Sequence, residues 1–189
     1  MRLQPTTYNL QPQKGFTLIE AVVATSVFAF VISSILGVYV ATLQLDRKTR
    51  AQRAVAQNGR FIMEFLAKEV RNGTISYASF PGSAVAGTGD LYLENQSSLV
   101  EHLSLSGTNL VLNKNASNTN MNSNSVKVTK LAFYVSPSHD PFTSAKTYNE
   151  QPHVTVVLEL TSNYSANAID IVKLNLQDTF GIRYYPSRQ

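Results

Sequence analysis

Residues 14–45 read KGFTLIEAVVATSVFAFVISSILGVYVATLQL, and the fold turns on how this stretch is taken. From residue 21 to residue 45 no side chain is charged. A helix of that length, at about 1.5 Å per residue, reaches roughly 37 Å and crosses a hydrocarbon layer of about 30 Å. Ser and Thr dilute the run, but in a helix their hydroxyls bond back to the preceding turn. A permanent anchor fits better than a cleaved secretory signal. The run is too long for a signal, and the polar region before it carries only Arg2 and Lys14. At the start of the run stands Glu20. A carboxylate within a membrane helix costs about 2.5–3.5 kcal/mol, less near an interface, so it calls for a partner or a function. If the chain is cut after Gly15, Phe16 becomes the N-terminus, and its amine lies one helical turn from Glu20 on the same side. That amine can neutralise Glu20 within one chain or pair with Glu20 of a neighbour. The plainer alternative is a polar residue at the membrane edge that reaches the headgroups.

Ahead of this stretch, residues 1–15 (MRLQPTTYNLQPQKG) form a short polar leader with two prolines, ending in Lys14 and Gly15. It has no core of its own and reads as a segment to be processed. Beyond it the charge resumes as DRKTR at 46–50, but the helical period continues. Val55, Ile62, Leu66 and Val70 recur at helical spacing, with Phe61 and Phe65 beside them, and Arg47, Arg50, Arg53, Arg60 and Lys68 interleave. Asn72-Gly73 is a stop signal, glycine taking the left-handed conformation past a helix end. One helix from about 16 to 72 would be roughly 85 Å long. Gly37 and Gly59 are its weak points, at about 1 kcal/mol each relative to Ala.

From residue 74 the period changes to two. Strands are expected at 75–80, 91–94, 99–105, 109–113, 126–135, 154–161 and 169–176, with a hairpin turning at Gly107 in HLSLSGTNLVLNK. The inward side chains should bury against Phe61, Ile62 and Phe65. The run NASNTNMNSNS at 115–125 has nothing to bury and reads as a mobile loop, and the Pro-bearing 136–152 reads as another long loop. The expected class is therefore α+β. A long N-terminal α-helix, half membrane and half amphipathic, packs on a C-terminal antiparallel β-sheet domain. The segments are a leader at 1–15, a membrane and assembly helix at 16–45, its amphipathic continuation at 46–73 and a β-rich head at 74–189.

The formal charge of +4 is unevenly placed. Residues 1–73 hold nine Lys/Arg against four Asp/Glu, while residues 74–189 hold seven against eight. A nucleic-acid-binding domain concentrates cations on its own surface, and this head does not, so nucleic acid is not an expected partner. There is no cysteine, so the head stands on its core without disulfides. No convergent catalytic arrangement, phosphate loop or metal-ligand spacing is visible. His102, His139 and His153 lie in different segments. The expectation is a non-enzyme with no cofactor and no metal.

The residues that open this section closely resemble the N-terminus of type IV pilins and type II secretion pseudopilins. The matching positions are Lys14, Gly15, Phe16 and Glu20, with Thr17, Leu18 and Ile19 between them. The resemblance implies that a prepilin peptidase recognises Lys14 and Gly15, cuts before Phe16 and N-methylates it. It further implies that Glu20 meets the Phe16 amine of a neighbouring subunit during filament assembly. Major pilins often carry a mid-helix proline and many close a C-terminal loop with a disulfide; this chain has neither a proline from 13 to 80 nor a cysteine, which speaks against a major-pilin role. The stem RKTRAQRAVAQNGRFIMEFLAKEVRNG, and the order VKVTKLAFYVS, QPHVTVVLEL, LQDTFGIRYY, are similar to J-type minor pseudopilins and PilW-type minor pilins.

These implications define an expected minor pilin or pseudopilin at the initiation or tip complex of a type IV pilus-like or type II secretion filament. Its partners would be the inner membrane, the peptidase/N-methyltransferase and other pilins. The alternatives are a major pilin or a membrane-anchored binding module of an adhesion or DNA-uptake pilus. Orientation pulls two ways. The basic band Arg47, Lys48, Arg50 and Arg53 outnumbers Arg2 and Lys14, which by charge alone keeps the head in the cytoplasm. The resemblance and the Asn/Ser/Thr-rich head place it outside.

Overall fold

The computed structural model describes residues 15–81, 85–142, 150–164 and 171–183. The chain divides into two units between Gln44 and Leu45. One helix, α1 (Leu18–Asn72), supplies the first unit and continues into the second.

In the first unit every side chain of α1 is exposed, and an 18-residue window reaches a mean hydropathy of 2.3 with none of it buried. The hydroxyls that dilute the run are satisfied within the helix. Ser26 donates to the Val22 carbonyl at 2.8 Å, Ser33 to Ala29 at 2.8 Å, Ser34 to Phe30 at 2.9 Å and Thr42 to Val38 at 2.9 Å. An apolar exterior with its polar groups internally bonded suits a lipid surround.

In the second unit α1 buries Ala51, Ala54, Val55, Gly59, Ile62, Leu66 and Val70, one helical face at 3–4-residue spacing. Phe61, expected in the core, is instead 52% exposed and stacks on Phe65 with ring centroids 6.5 Å apart. The buried face packs on two antiparallel sheets. The five-stranded sheet runs in the order β1 (Thr74–Ile75), β3 (Leu91–Glu94), β4 (Val100–Ser106), β5 (Asn109–Lys114), β6 (Ser117–Asn120). The four-stranded sheet runs β2 (Ala86–Thr88), β7 (Val126–Ser136), β8 (His153–Ser162), β9 (Lys173–Gly181). Leu93, Leu103 and Leu110 of the first sheet and Phe133, Val156, Leu158 and Leu160 of the second join Ile62, Leu66 and Val70 in one core.

Several expectations are corrected. The segment 75–80 leaves the sheet after Ile75 and forms a short 3-10 turn at Tyr77–Ser79, held by the Ser76 and Ser79 hydroxyls 2.8 Å apart. The polar run read as a mobile loop contributes β6, whose backbone pairs with β5 and needs no apolar side chain. The last strand lies at 173–181, not 169–176, because its pairing with β8 carries it to Gly181 opposite His153. Residues 169 and 170 lie outside the described residues. Strand β7 changes phase once: Val126 and Val128 are buried, then Leu131, Phe133 and Val135, and a bulge between Val128 and Lys130 absorbs the extra residue. The hairpin turn at Gly107 is present, with φ +62°.

Two glycines have reasons other than those expected. Gly73 follows the helix end without adopting the left-handed conformation. A Cβ there would lie 2.9 Å from the Glu94 carbonyl oxygen and 3.1 Å from that of Glu69, so the position is set by backbone approach. At Gly59 a Cβ would come within 2.7 Å of Leu176 Cδ1 and 3.2 Å of Leu160 and Leu174. Gly59 is therefore where α1 closes on β8 and β9, not a defect in the helix. Gly59→Ala gains about 1 kcal/mol of helix propensity but overpacks this contact. The expected result is a net loss of about 1–2 kcal/mol, read by denaturant melting and relieved by a second change, Leu176→Val.

Candidate functional site

The site begins where the helix begins. Lys14 lies outside the described residues. Gly15, Phe16 and Thr17 precede α1 in non-helical, exposed chain, and Phe16 is 82% exposed. A Cβ at Gly15 would touch nothing within 4 Å. The Gly15–Phe16 peptide is thus presented clear of the helix, as an enzyme that cuts backbone requires.

Thr17 is the cap. Its hydroxyl accepts a hydrogen bond from the Glu20 backbone N–H at 3.3 Å, and its carbonyl accepts from Ala21 N–H at 3.2 Å. Thr17-Leu18-Ile19-Glu20 has the spacing of a capping box, a signal that the sequence reading passed over. It adds a local reason for Glu20, since an acid in the first turn faces the positive end of the helix dipole. That accounts for only part of its placement. Among the described residues the Glu20 carboxylate meets no cation, and its side chain stands at the edge of the apolar unit.

The basic residues that follow are divided by helical phase. Arg47, Arg50 and Arg53 step round one side of α1, while Lys48 is rotated by about 100° from Arg47, toward the side that Ala51 and Val55 bury. Arg50 pairs with Asp46 at 2.8 Å, both well exposed. Such an i,i+4 pair contributes about 0.3–0.5 kcal/mol.

The histidines do not converge. His102 lies beside Asp90 at 2.8 Å and stacks on Tyr92 with centroids 4.3 Å apart, while His153 Nδ1 lies 3.4 Å from the Gln151 carbonyl. Among the described residues no group of three or more His, Cys, Asp or Glu is placed to hold a metal ion.

The most perturbed carboxylate lies at the other end of α1. An open cleft of about 390 Å³ is bordered by Glu69, Gly73, Glu94, Asn95 and Glu101. Glu101, 1% exposed, accepts from Asn95 Nδ2 at 3.0 Å and pairs with Lys114 directly across the β4–β5 ladder. Desolvation, and then the charge of Glu101, raise the Glu69 pKa above its ordinary 4.5. The folded state therefore binds this proton more tightly than the unfolded chain does. Its contribution to stability falls as pH rises from the ordinary value through the raised one. Glu69→Gln is expected to stabilise the head at neutral pH, and the gain over wild type should vanish near pH 4.5, read as denaturant midpoints at the two pH values.

Comparison with known proteins gives one match. Residues 10–36 fit the family model described as the prokaryotic N-terminal methylation motif. The match supports a type IV pilin-like class. The motif implies processing by a prepilin peptidase and assembly with other pilins. No curated protein and no solved structure matches the chain. The long apolar helix and the α+β head agree with that class.

Proposed function

We propose that this chain is a minor pilin or pseudopilin of the J or PilW type, made as a precursor and placed at the initiation or tip complex of a filament. Residues 1–15 are removed at Gly15–Phe16 and Phe16 is N-methylated. Residues 16–45 anchor the chain in the inner membrane, 46–73 link the anchor to the head, and 74–189 form the head outside. Glu20 then pairs with the Phe16 amine of a neighbour, which offsets the cost of a carboxylate in lipid.

The observation that carries this reading is the junction itself. An exposed Gly15–Phe16 bond, a capped first turn and a Glu20 that meets no cation among the described residues lie within six residues of each other, directly before a charge-free run. The absence of proline from 13 to 80 favours a minor over a major role. Intact-mass measurement of the membrane-extracted protein tests it. The expected product lacks residues 1–15 and carries one added methyl group. Recovery of the full-length, unmethylated chain from cells with an active filament system overturns it and leaves a monomeric, membrane-anchored binding module.

A further inference from the structure

The head half of α1 has a second face. By helical phase Arg50, Arg53, Arg60, Lys68 and Arg71 fall within an arc of about 80°, centred opposite the direction of the buried Ile62 and Leu66. All five are exposed. Only Arg50 has an ion pair among the described residues, to Asp46. From Arg50 to Arg71 the row extends about 32 Å. Asp46 and Glu64 share the arc, so it carries five positive and two negative charges. On its flank lies the exposed Phe61, stacked on Phe65.

We infer that this row is a docking face for another subunit of the filament whose opposing surface is acidic. Five cations aligned on one side of a rigid helix repel one another, and a matching acidic surface turns that repulsion into attraction and fixes register. Arginine and an exposed aromatic are the residues that protein interfaces concentrate. The two acids within the row disfavour a phosphate polymer, since duplex DNA presents an unbroken charge every 1.7 Å or so along its axis. A second copy of this chain is a poor complement, because its head carries eight acids interleaved with seven cations. The inference rests on the filament reading above and adds the chemistry of the neighbour.

A photoreactive benzoylphenylalanine installed at Phe61 in the full-length chain, in cells with the active filament system, tests it. The expected adduct is a peptide of a different processed subunit. Arg53→Glu with Arg60→Glu should lower its yield by more than about tenfold, because like charges then face each other. Reversing the acids of the cross-linked peptide to Lys should restore it. Adducts only with lipid, with nucleic acid or with a second copy overturn the inference, as does no adduct, or one indifferent to charge reversal. Intact mass in the same samples separates the two failures. Processed chain without a charge-sensitive adduct sinks the docking face alone, and unprocessed chain sinks the filament reading with it. Both arginines are exposed, and an unchanged thermal melt of the double variant confirms that the fold is intact.

Discussion

Glu20→Gln should leave the chain in the membrane, cut and methylated, yet fail to enter filaments. The substitution keeps shape and removes one charge. It also spares the cap, because the hydrogen bond to Thr17 comes from the Glu20 backbone N–H. Membrane insertion becomes easier with the carboxylate gone. On the proposed assembly, what is lost is the attraction to a neighbour's amine. Truncating one member of a buried charge pair costs about 2–5 kcal/mol. At the lower bound this is roughly thirty-fold in each association constant. Sheared and sedimented filament, quantified against total membrane-extracted subunit, gives the readout. Polymer yield equal to wild type would show that Glu20 serves only the helix start.

The second large effect is expected in the second unit, at Asn122. This residue is 6% exposed and lies in the polar run that looked least able to hold structure. Its Oδ1 accepts from Leu110 N–H at 2.9 Å, and its Nδ2 donates to the Val126 carbonyl at 2.6 Å and to Asn109 Oδ1 at 3.1 Å. It thereby bridges β5 of one sheet to β7 of the other. Asn122→Ala leaves the Leu110 N–H and the Val126 carbonyl without their partner, at about 1–3 kcal/mol each. A loss of about 3–5 kcal/mol is expected, which for a head of this size lowers the melting temperature by roughly 10–20 °C. Asn122→Asp keeps the acceptor for Leu110 but turns an oxygen toward the Val126 carbonyl, so it should be rescued in part by acid, where the protonated carboxyl donates again. Thermal unfolding of the full chain in detergent, followed by near-ultraviolet dichroism, measures both. A shift below about 1 kcal/mol for the Ala variant would show that water replaces the amide.

The long helix was legible because two independent periodic signals overlap. A charge-free run precedes a 3–4-residue stripe, and Ile62, Leu66 and Val70 are buried as that stripe requires. Strands that bury alternate side chains were legible for the same reason, and 91–94 was placed to the residue. The sequence was opaque where backbone, not side chain, decides. Strand β6 exists because β5 offers it a ladder, and β2 is a short bulged pairing with β7 around Gly87 at φ +73°. Strand β9 continues past Leu176 through polar Gln177, Asp178 and Thr179 because β8 does. Gly59 and Gly73 pointed to their positions but not to their reasons, since the tightest contact each avoids, Leu176 for Gly59 and the Glu94 carbonyl for Gly73, lies on a strand distant in sequence. At the candidate site the reverse holds. The Thr17–Glu20 spacing of the helix start is visible in the sequence itself.

The Thr17 cap has a consequence for what proteolysis accomplishes. Among the described residues, the groups that hold the first turn of α1 (the Thr17 hydroxyl and carbonyl and the amides that meet them) all belong to residues 17–21. On the proposed processing, a cut before Phe16 spares these contacts and places a new cation one turn from Glu20. Under the proposed processing such a precursor would be a dormant subunit whose helix start is already built, with the peptidase as its charge switch.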